Sequence, residues 1–293
     1  MTAAGGPEER RVRIAAVSFI LDDTEHTIEG NLTRCSSYTR EAAERRADVI
    51  CFPETVCTAG TAFSLSDQPQ GTWIAFFSAL AAEHQIHIIA PYLVTDSANT
   101  YSRATIFDRT GKVTGWYDKV QLNGAERQYL TPGDALPVFD LDFGRIAVML
   151  CMDVYFPEIA RIYALKGAEV IFWPTMTHGP TQEALLVQAR ARAIDNSTPF
   201  VESNYACAPP YAPYAGRLQP GNARIIDHNG DILAQTGRRH GLAVTDMDLN
   251  ETRLTRHCVL LRDPDRTRED LQELFRVDLY SREYDMIAKA GKK

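Results

Sequence analysis

Residues 145–151 read "RIAVMLC" and residues 13–19 read "RIAAVSF", two copies of one near-continuous apolar run of strand length. A run so uniformly apolar marks a strand buried on both faces. Each copy leads through a helical segment into a second buried run, "ADVICFPE" at 47–54 and "AEVIFWPT" at 168–175. Farther on, "ATIFDRTGKVTGW" (104–116) and "ARIIDHNGDILAQ" (223–235) each join two extended runs through a Thr-Gly or Asn-Gly turn. Asn-Gly between strands is a strong hairpin signal. Helices are expected at about 31–46, 71–84, 157–167 and 181–196. The third opens on Pro157 and closes on Gly167, the usual start and stop chemistry.

Two halves of order strand, helix, strand, helix, strand, hairpin predict an α/β fold: two similar mixed β-sheets with a pseudo-twofold internal repeat and helices outside each. The simplest packing is a four-layer α-β-β-α sandwich. Two copies about 130 residues apart are too few, and their period too long, for a solenoid. The expected division is a flexible N-terminus at 1–11, one domain at 12–250 and a C-terminal extension at 251–293. In the extension Leu271, Leu274, Phe275 and Leu279 share a helix-like stripe, which either covers its own core or reaches across a subunit interface.

The 45% hydrophobic and 24% charged fractions are those of an ordinary soluble protein. A net charge of −7 offers no basic stripe, so nucleic acid is not an expected partner. The start, "MTAAGGPEERR", lacks the apolar stretch of a secretory signal, and no run approaches a membrane span. A cytoplasmic location is expected, with the cysteines at 35, 51, 57, 151, 207 and 258 reduced.

Three reactive side chains stand just beyond apolar runs: Glu54 after "VICFP", Lys119 after "VTGWYD" and Cys151 after "IAVML". Taken singly, they read as a solvated carboxylate, a surface lysine paired to Asp118, and a small buried hydrophobe. Ligands sit at the carboxyl ends of strands in open sheets, so the three are expected to converge. Together they suit acyl transfer. A thiol attacks once a base takes its proton, glutamate serves as base and then acid, and an ammonium stabilises the oxyanion. A sharp turn at Met152 and Asp153 into the Pro157 helix is expected to aim backbone N–H groups that favour a thiolate.

The stretches "FPE" (52–54), "YDKVQL" (117–122) and "LCMDVYFPEIAR" (150–161) resemble the three signatures of the nitrilase, or carbon-nitrogen hydrolase, superfamily, with the likeness running over about 12–250. The resemblance implies the same α-β-β-α sandwich, Cys151 as nucleophile, Glu54 as general base and later acid, and Lys119 as oxyanion stabiliser. It implies supporting roles for Glu126, which positions the substrate, and for the backbone N–H after Cys151, that of Met152. It implies no metal and no organic cofactor. It also implies a homodimer or larger homo-oligomer. Two positions depart from the family pattern: Asp195 stands where glutamate is usual and Ala223 where serine is common.

Pocket walls are expected from Cys57, Tyr155, the stretch "TMTH" with Thr175 and Met176, and the loop at 205–216, a candidate lid. Arg190 or Arg192 are candidates for a substrate carboxylate or for structural salt bridges. Cys51 is expected in the core, and His84 and His87 lack partners for a zinc site. The expected activity is hydrolysis of a non-peptide C–N bond in a small amide or N-carbamoyl compound through a Cys151 thioester, releasing ammonia or amine. Nitrile hydrolysis is the runner-up, because Met152 and Asp153 replace the tryptophan-glutamate pair of true nitrile hydrolases. Two further readings fit the same residues less well: acyl transfer to an amine through the same thioester, and a binding module that keeps the fold without catalysis.

Overall fold

The strand opening at Arg11 organises the chain. β1 (Arg11–Leu21) puts Ala15, Val17, Phe19 and Leu21 on one face and Val12, Ile14 and Ala16 on the other, the two-residue period of a strand buried on both sides. The computed structural model describes residues 10–21, 26–61, 71–96, 99–177, 182–207, 222–251 and 275–290. After β1 come α1 (Ile28–Glu44), β2 (Val49–Cys51), α2 (Thr72–His84), β3 (His87–Asp96), β4 (Asn99–Phe107) and β5 (Val113–Asp118). The second half follows the same order with β6 (Phe139–Asp140) as a short prelude: β7 (Arg145–Val148), α3 (Pro157–Leu165), β8 (Val170–Pro174), α4 (Gln182–Asn196), β9 (Phe200–Cys207), β10 (Arg224–Ile226) and β11 (Ile232–Gln235). β12 (Gly241–Asp248) and α5 (Val277–Ala290) close the chain. The four expected helices lie within a few residues of their predicted bounds.

The strands form one large mixed sheet. In the first half β1, β2 and β3 are parallel, and β4 and β5 continue antiparallel; in the second, β7, β8 and β9 are parallel, and β10 and β11 continue antiparallel. The pairing order is therefore repeated. The halves join where Ser18–Leu21 of β1 run parallel to Asn204–Cys207 of β9, and β12 lies antiparallel along β1 on its other side.

Three apolar clusters fill the interior among the described residues. One packs α1 and α2 against a face of β1, β2 and β3, through Cys35, Tyr38, Phe77, Ile50 and Ile88. A second joins the opposite face of the first half to the second half, through Ile14, Ile89, Ile106, Val148, Phe172 and Ile225. The third packs α3 and α4 on the second half, through Tyr163, Ala189, Ile171 and Trp173. Proline begins α3, and Gly167 beyond its end has φ +84°, where a side chain would be strained.

Of the C-terminal stripe, Phe275 and Leu279 are described, and both are half-buried. α5 contributes no buried residue. Its neighbourhood touches α3 through Tyr284, which donates to Glu158 Oε1 at 2.9 Å, and through Arg161, 5.6 Å above the Phe275 ring. A cavity of about 470 Å³ remains between α5 and α3. Leu271 and Leu274 lie outside the described residues. Among the described residues no helix is long and apolar enough to cross a membrane.

Arg224 and Glu202 form a buried charged pair in this framework: Arg224 Nη1 donates to Glu202 Oε2 at 2.6 Å, and both residues are almost fully enclosed. Burial pushes the Glu202 carboxyl above the usual range while Arg224 pulls it back. Breaking such a pair strands a charge in a poorly solvated site. Glu202→Gln is expected to destabilise the fold by about 3–5 kcal/mol in chemical denaturation.

Candidate functional site

Glu54, Lys119 and Cys151 follow the carboxyl ends of β2, β5 and β7. β2 ends at Cys51, and Phe52 N–H still donates to Ile89 O at 3.0 Å before the chain turns through Glu54. β7 ends at Val148, and Met149 N–H donates to Phe172 O at 2.9 Å before Cys151. β5 points the same way as β2 because two successive antiparallel pairings restore the direction of β3. Lys119 N–H then donates to Ser102 O at 2.9 Å, and Lys119 O accepts from Gly133 N–H at 2.9 Å. A Cβ at residue 133 would collide with the Asp118 backbone, so glycine permits the close pass.

The Lys119 ammonium is fully buried and shared by two carboxylates. Nζ donates to Glu54 Oε1 at 2.8 Å and to Glu126 Oε1 at 2.7 Å. Burial alone would lower the Lys119 pKa, but Glu54, Cys151 and Glu126 together hold it well above the ordinary lysine value. Ser102 Oγ approaches Glu54 Oε1 at 3.5 Å, and the Tyr205 hydroxyl donates to the Glu54 carbonyl. Asn123 N–H donates to Glu126 Oε2 at 2.9 Å, fixing the second carboxylate from behind. The Asp118 partner anticipated for a surface lysine is taken instead by Arg103, at 2.7 Å.

Cys151 begins a short 3-10 helix (Cys151–Tyr155) with φ +43°, a left-handed conformation uncommon outside glycine. The Trp173 indole donates to its carbonyl at 2.9 Å. The thiol differs from the expected stabilised thiolate: burial, then Glu54, push it up to about 12, while Lys119, the Thr175 hydroxyl and the Met176 N–H pull it down less strongly. The Thr175 oxygen is buried with no other hydrogen-bond partner among the described residues. Thr175 and Met176 thus stand beside the sulfur. Tyr155, exposed on the same 3-10 helix, is within electrostatic reach of Cys151, and Met152 is half-buried beside it.

Other expected contacts go elsewhere. Cys57 is fully buried in the cluster with Cys35, Val56 and Tyr92, against the helices, and burial pushes its thiol up; it is not among the groups acting on Cys151. Two residues earlier in the turn, Thr55 has φ +55°, which redirects the chain after Glu54. Cys51 is core. Arg192 donates through Nε and Nη2 to Val154 O at 3.1 and 2.9 Å, and Arg190 donates to Gly230 O at 2.7 Å, so both hold loops. Asp195 accepts through its backbone carbonyl from Arg161, and Ala223 N–H donates to Thr236 Oγ1 at 3.1 Å. His87 Nε2 meets Asp142 Oδ1 at 2.8 Å, far along the strand from Glu54. Residue 178 and most of the 205–216 loop lie outside the described residues.

Sequence reasoning missed the parts played by Asp153, Tyr117 and Tyr129. Asp153 is fully buried, and burial raises its carboxyl to about 7 although Tyr117, Leu150 and Gln121 donate to it. Tyr129, half exposed, is raised by burial and by Glu126 and Glu54, which places it by the same carboxylates. All three lie inside the quoted motifs or the adjoining "GAERQYLTPGD", but nothing in spacing distinguishes them from packing residues. Among the described residues no group of three or more His, Cys, Asp or Glu is placed to hold a metal ion.

A half-buried thiol and two carboxylates gathered about one buried ammonium make a site suited to moving a proton and holding a developing negative charge. The carbon-nitrogen hydrolase family model matches residues 13–257. A probable nitrilase of Schizosaccharomyces pombe is 28% identical over 237 residues, covering 77% of this chain and 85% of that protein. An omega-amidase of Mus musculus is 27% identical over 237 residues, covering 75% of this chain and 84% of that protein. A carbon-nitrogen hydrolase from Helicobacter pylori superposes with a TM-score of 0.79 at 22% identity, over 93% of this chain and 97% of that one. With its family model spanning nearly all the paired strands, the chain is a member of the carbon-nitrogen hydrolase family.

Proposed function

We propose that the protein hydrolyses the C–N bond of a small amide or N-carbamoyl compound through a thioester on Cys151. The observation that carries this reading is the buried Lys119 ammonium, bonded to Glu54 at 2.8 Å and Glu126 at 2.7 Å with the Cys151 thiol in its field. An ammonium has three N–H donors, and two are engaged. The third is left for a carbonyl oxygen, together with the Met152 N–H.

A thiol near 12 is neutral at rest, so attack and proton transfer go together. The Cys151 proton passes to Glu54 as sulfur bonds the substrate carbon, and Lys119 holds the oxyanion. Glu54 returns the proton to the leaving nitrogen, the C–N bond breaks, and ammonia or amine departs. Water then attacks the thioester, giving a proton to Glu54. The C–S bond breaks, and that proton restores the thiol. Glu126, bonded to Nζ at 2.7 Å, keeps Lys119 aimed. Tyr155, Tyr129, Thr175 and Met176 line the approach to the sulfur.

The omega-amidase among the relatives favours amides over nitriles, as does Met152-Asp153 in place of a tryptophan-glutamate pair. We further infer that the mixed sheet folds into two facing layers between helical layers, an α-β-β-α sandwich; the three separate apolar clusters support it. Residues 12–250 then form the hydrolase domain, with 251–293 as an extension. Exposed Val277, Tyr280, Met286 and Ile287 on α5 support a homo-oligomer, and the free thiols of Cys35, Cys51, Cys57 and Cys151 suit the cytoplasm.

Matched amide, carbamoyl and nitrile panels assayed for ammonia release are expected to show turnover of the first two classes; turnover of nitriles alone refutes the assignment. Glu54→Gln is expected to lower kcat by about 10²–10⁴-fold, and mass spectrometry of quenched wild-type enzyme to find an acyl adduct on Cys151. Because the thiol sits near 12, iodoacetamide labelling of Cys151 is expected to keep rising with pH above 9 instead of levelling. Lys119 lowers that value, so Lys119→Met is expected to raise it further and slow labelling at pH 8, measured by peptide mass spectrometry.

A further inference from the structure

We propose that Asp153 is a positioning residue that clamps the nucleophile turn to the lysine turn, setting the distance between Cys151 and Lys119. The inference rests on the reading of those two residues as catalytic and extends it to a group outside the reacting set. One carboxylate reaches both chain segments. Asp153 Oδ2 accepts from Leu150 N–H at 2.7 Å, immediately before Cys151, and from the Tyr117 hydroxyl at 2.6 Å. Oδ1 accepts from Gln121 N–H at 3.0 Å. The Tyr117 oxygen in turn faces Val120 N–H at 3.4 Å. Lys119 is therefore bracketed: residue 117 on one side and residue 121 on the other are tied to a single side chain two positions past Cys151, and residue 120 reaches it only through Tyr117.

A simpler role would be local: a residue in the first turn of a short helix reaching back to cap it. That role needs the Leu150 N–H alone. The other two donors come from 32 and 36 residues away and belong to the turn that carries Lys119. Burying a carboxylate completely is costly unless it is fully hydrogen-bonded, and here the donors that compensate it are those flanking the site. Cys151 also sits at φ +43°, a conformation that persists only where its surroundings hold it, and the Leu150 bond and the Trp173 bond to the Cys151 carbonyl grip it from both sides.

Asp153→Asn and Tyr117→Phe test the clamp. An amide at 153 offers one acceptor oxygen and an NH2 group, so it cannot satisfy three donors. For Asp153→Asn the expected result is a fall in kcat of roughly 10–100-fold with KM within about 2-fold, because misplacement of reacting groups acts on the chemical step. Hydrogen exchange should accelerate in both 119–122 and 148–152. Tyr117→Phe keeps the ring and loses the bond to Asp153 and the contact with Val120 N–H, and a fall in kcat of about 2–10-fold with faster exchange in 119–122 is expected. A folded Asp153→Asn enzyme with kcat within 2-fold of wild type, or faster exchange in 148–152 alone, overturns the clamp and leaves a local cap. Should Asp153→Asn fail to fold, Tyr117→Phe decides in the same way. A wild-type enzyme inert on every amide and carbamoyl compound instead refutes the proposed function, and the exchange data still decide the clamp.

Discussion

A lysine ammonium with no access to water is the constraint on which this structure turns. Taking an ion out of water costs several kcal/mol even after relaxation, and Lys119 is tolerated because two carboxylates lie within 2.8 Å of it. Each carboxylate comes from a different turn, so both loops must close correctly for the charge to be compensated. Burial, then Glu54, act on the Cys151 thiol more strongly than Lys119 does, so the thiol keeps its proton: the cation that would favour a thiolate is already engaged by carboxylates.

The repeated topology supplies the precision. Parallel strands β1, β2, β3 and β7, β8, β9 deliver their carboxyl ends to common edges, and the antiparallel excursion through β4 and β5 returns Lys119 to the edge where Glu54 stands. Rigid strands locate the ends, while irregular backbone places the reactive atoms. Thr55 after Glu54 and Cys151 itself both adopt left-handed φ, so the chain bends sharply where these side chains gather.

Much of the fold is legible in the sequence because it is written in the hydrophobic period. "RIAAVSF" and "RIAVMLC" announce β1 and β7, and the Asn-Gly and Thr-Gly turns announce the two hairpins. The meeting of Glu54 and Lys119 is legible through strand-end placement. Side-chain direction inside irregular turns is not. Cys57, three residues from Glu54, points into the helix-facing cluster, and the arginines of α4 spend their donors on the Val154 and Gly230 carbonyls. The state of the thiol is hidden as well, because backbone dipoles are visible in a turn motif, whereas burial is a property of the whole assembly. Asp153 is concealed for a related reason: its partners are distant in the chain.

The internal repeat also sets a limit on how the site is divided between the halves. A duplicated architecture ordinarily offers two equivalent places for function, but the position matching Cys151 in the first copy is Phe19, whose ring packs on Tyr38 and Tyr205. Glu54 and Lys119 belong to one copy and Cys151 to the other. Neither half holds these three groups together, so the symmetry of the framework ends in a single cluster that only the joined halves assemble.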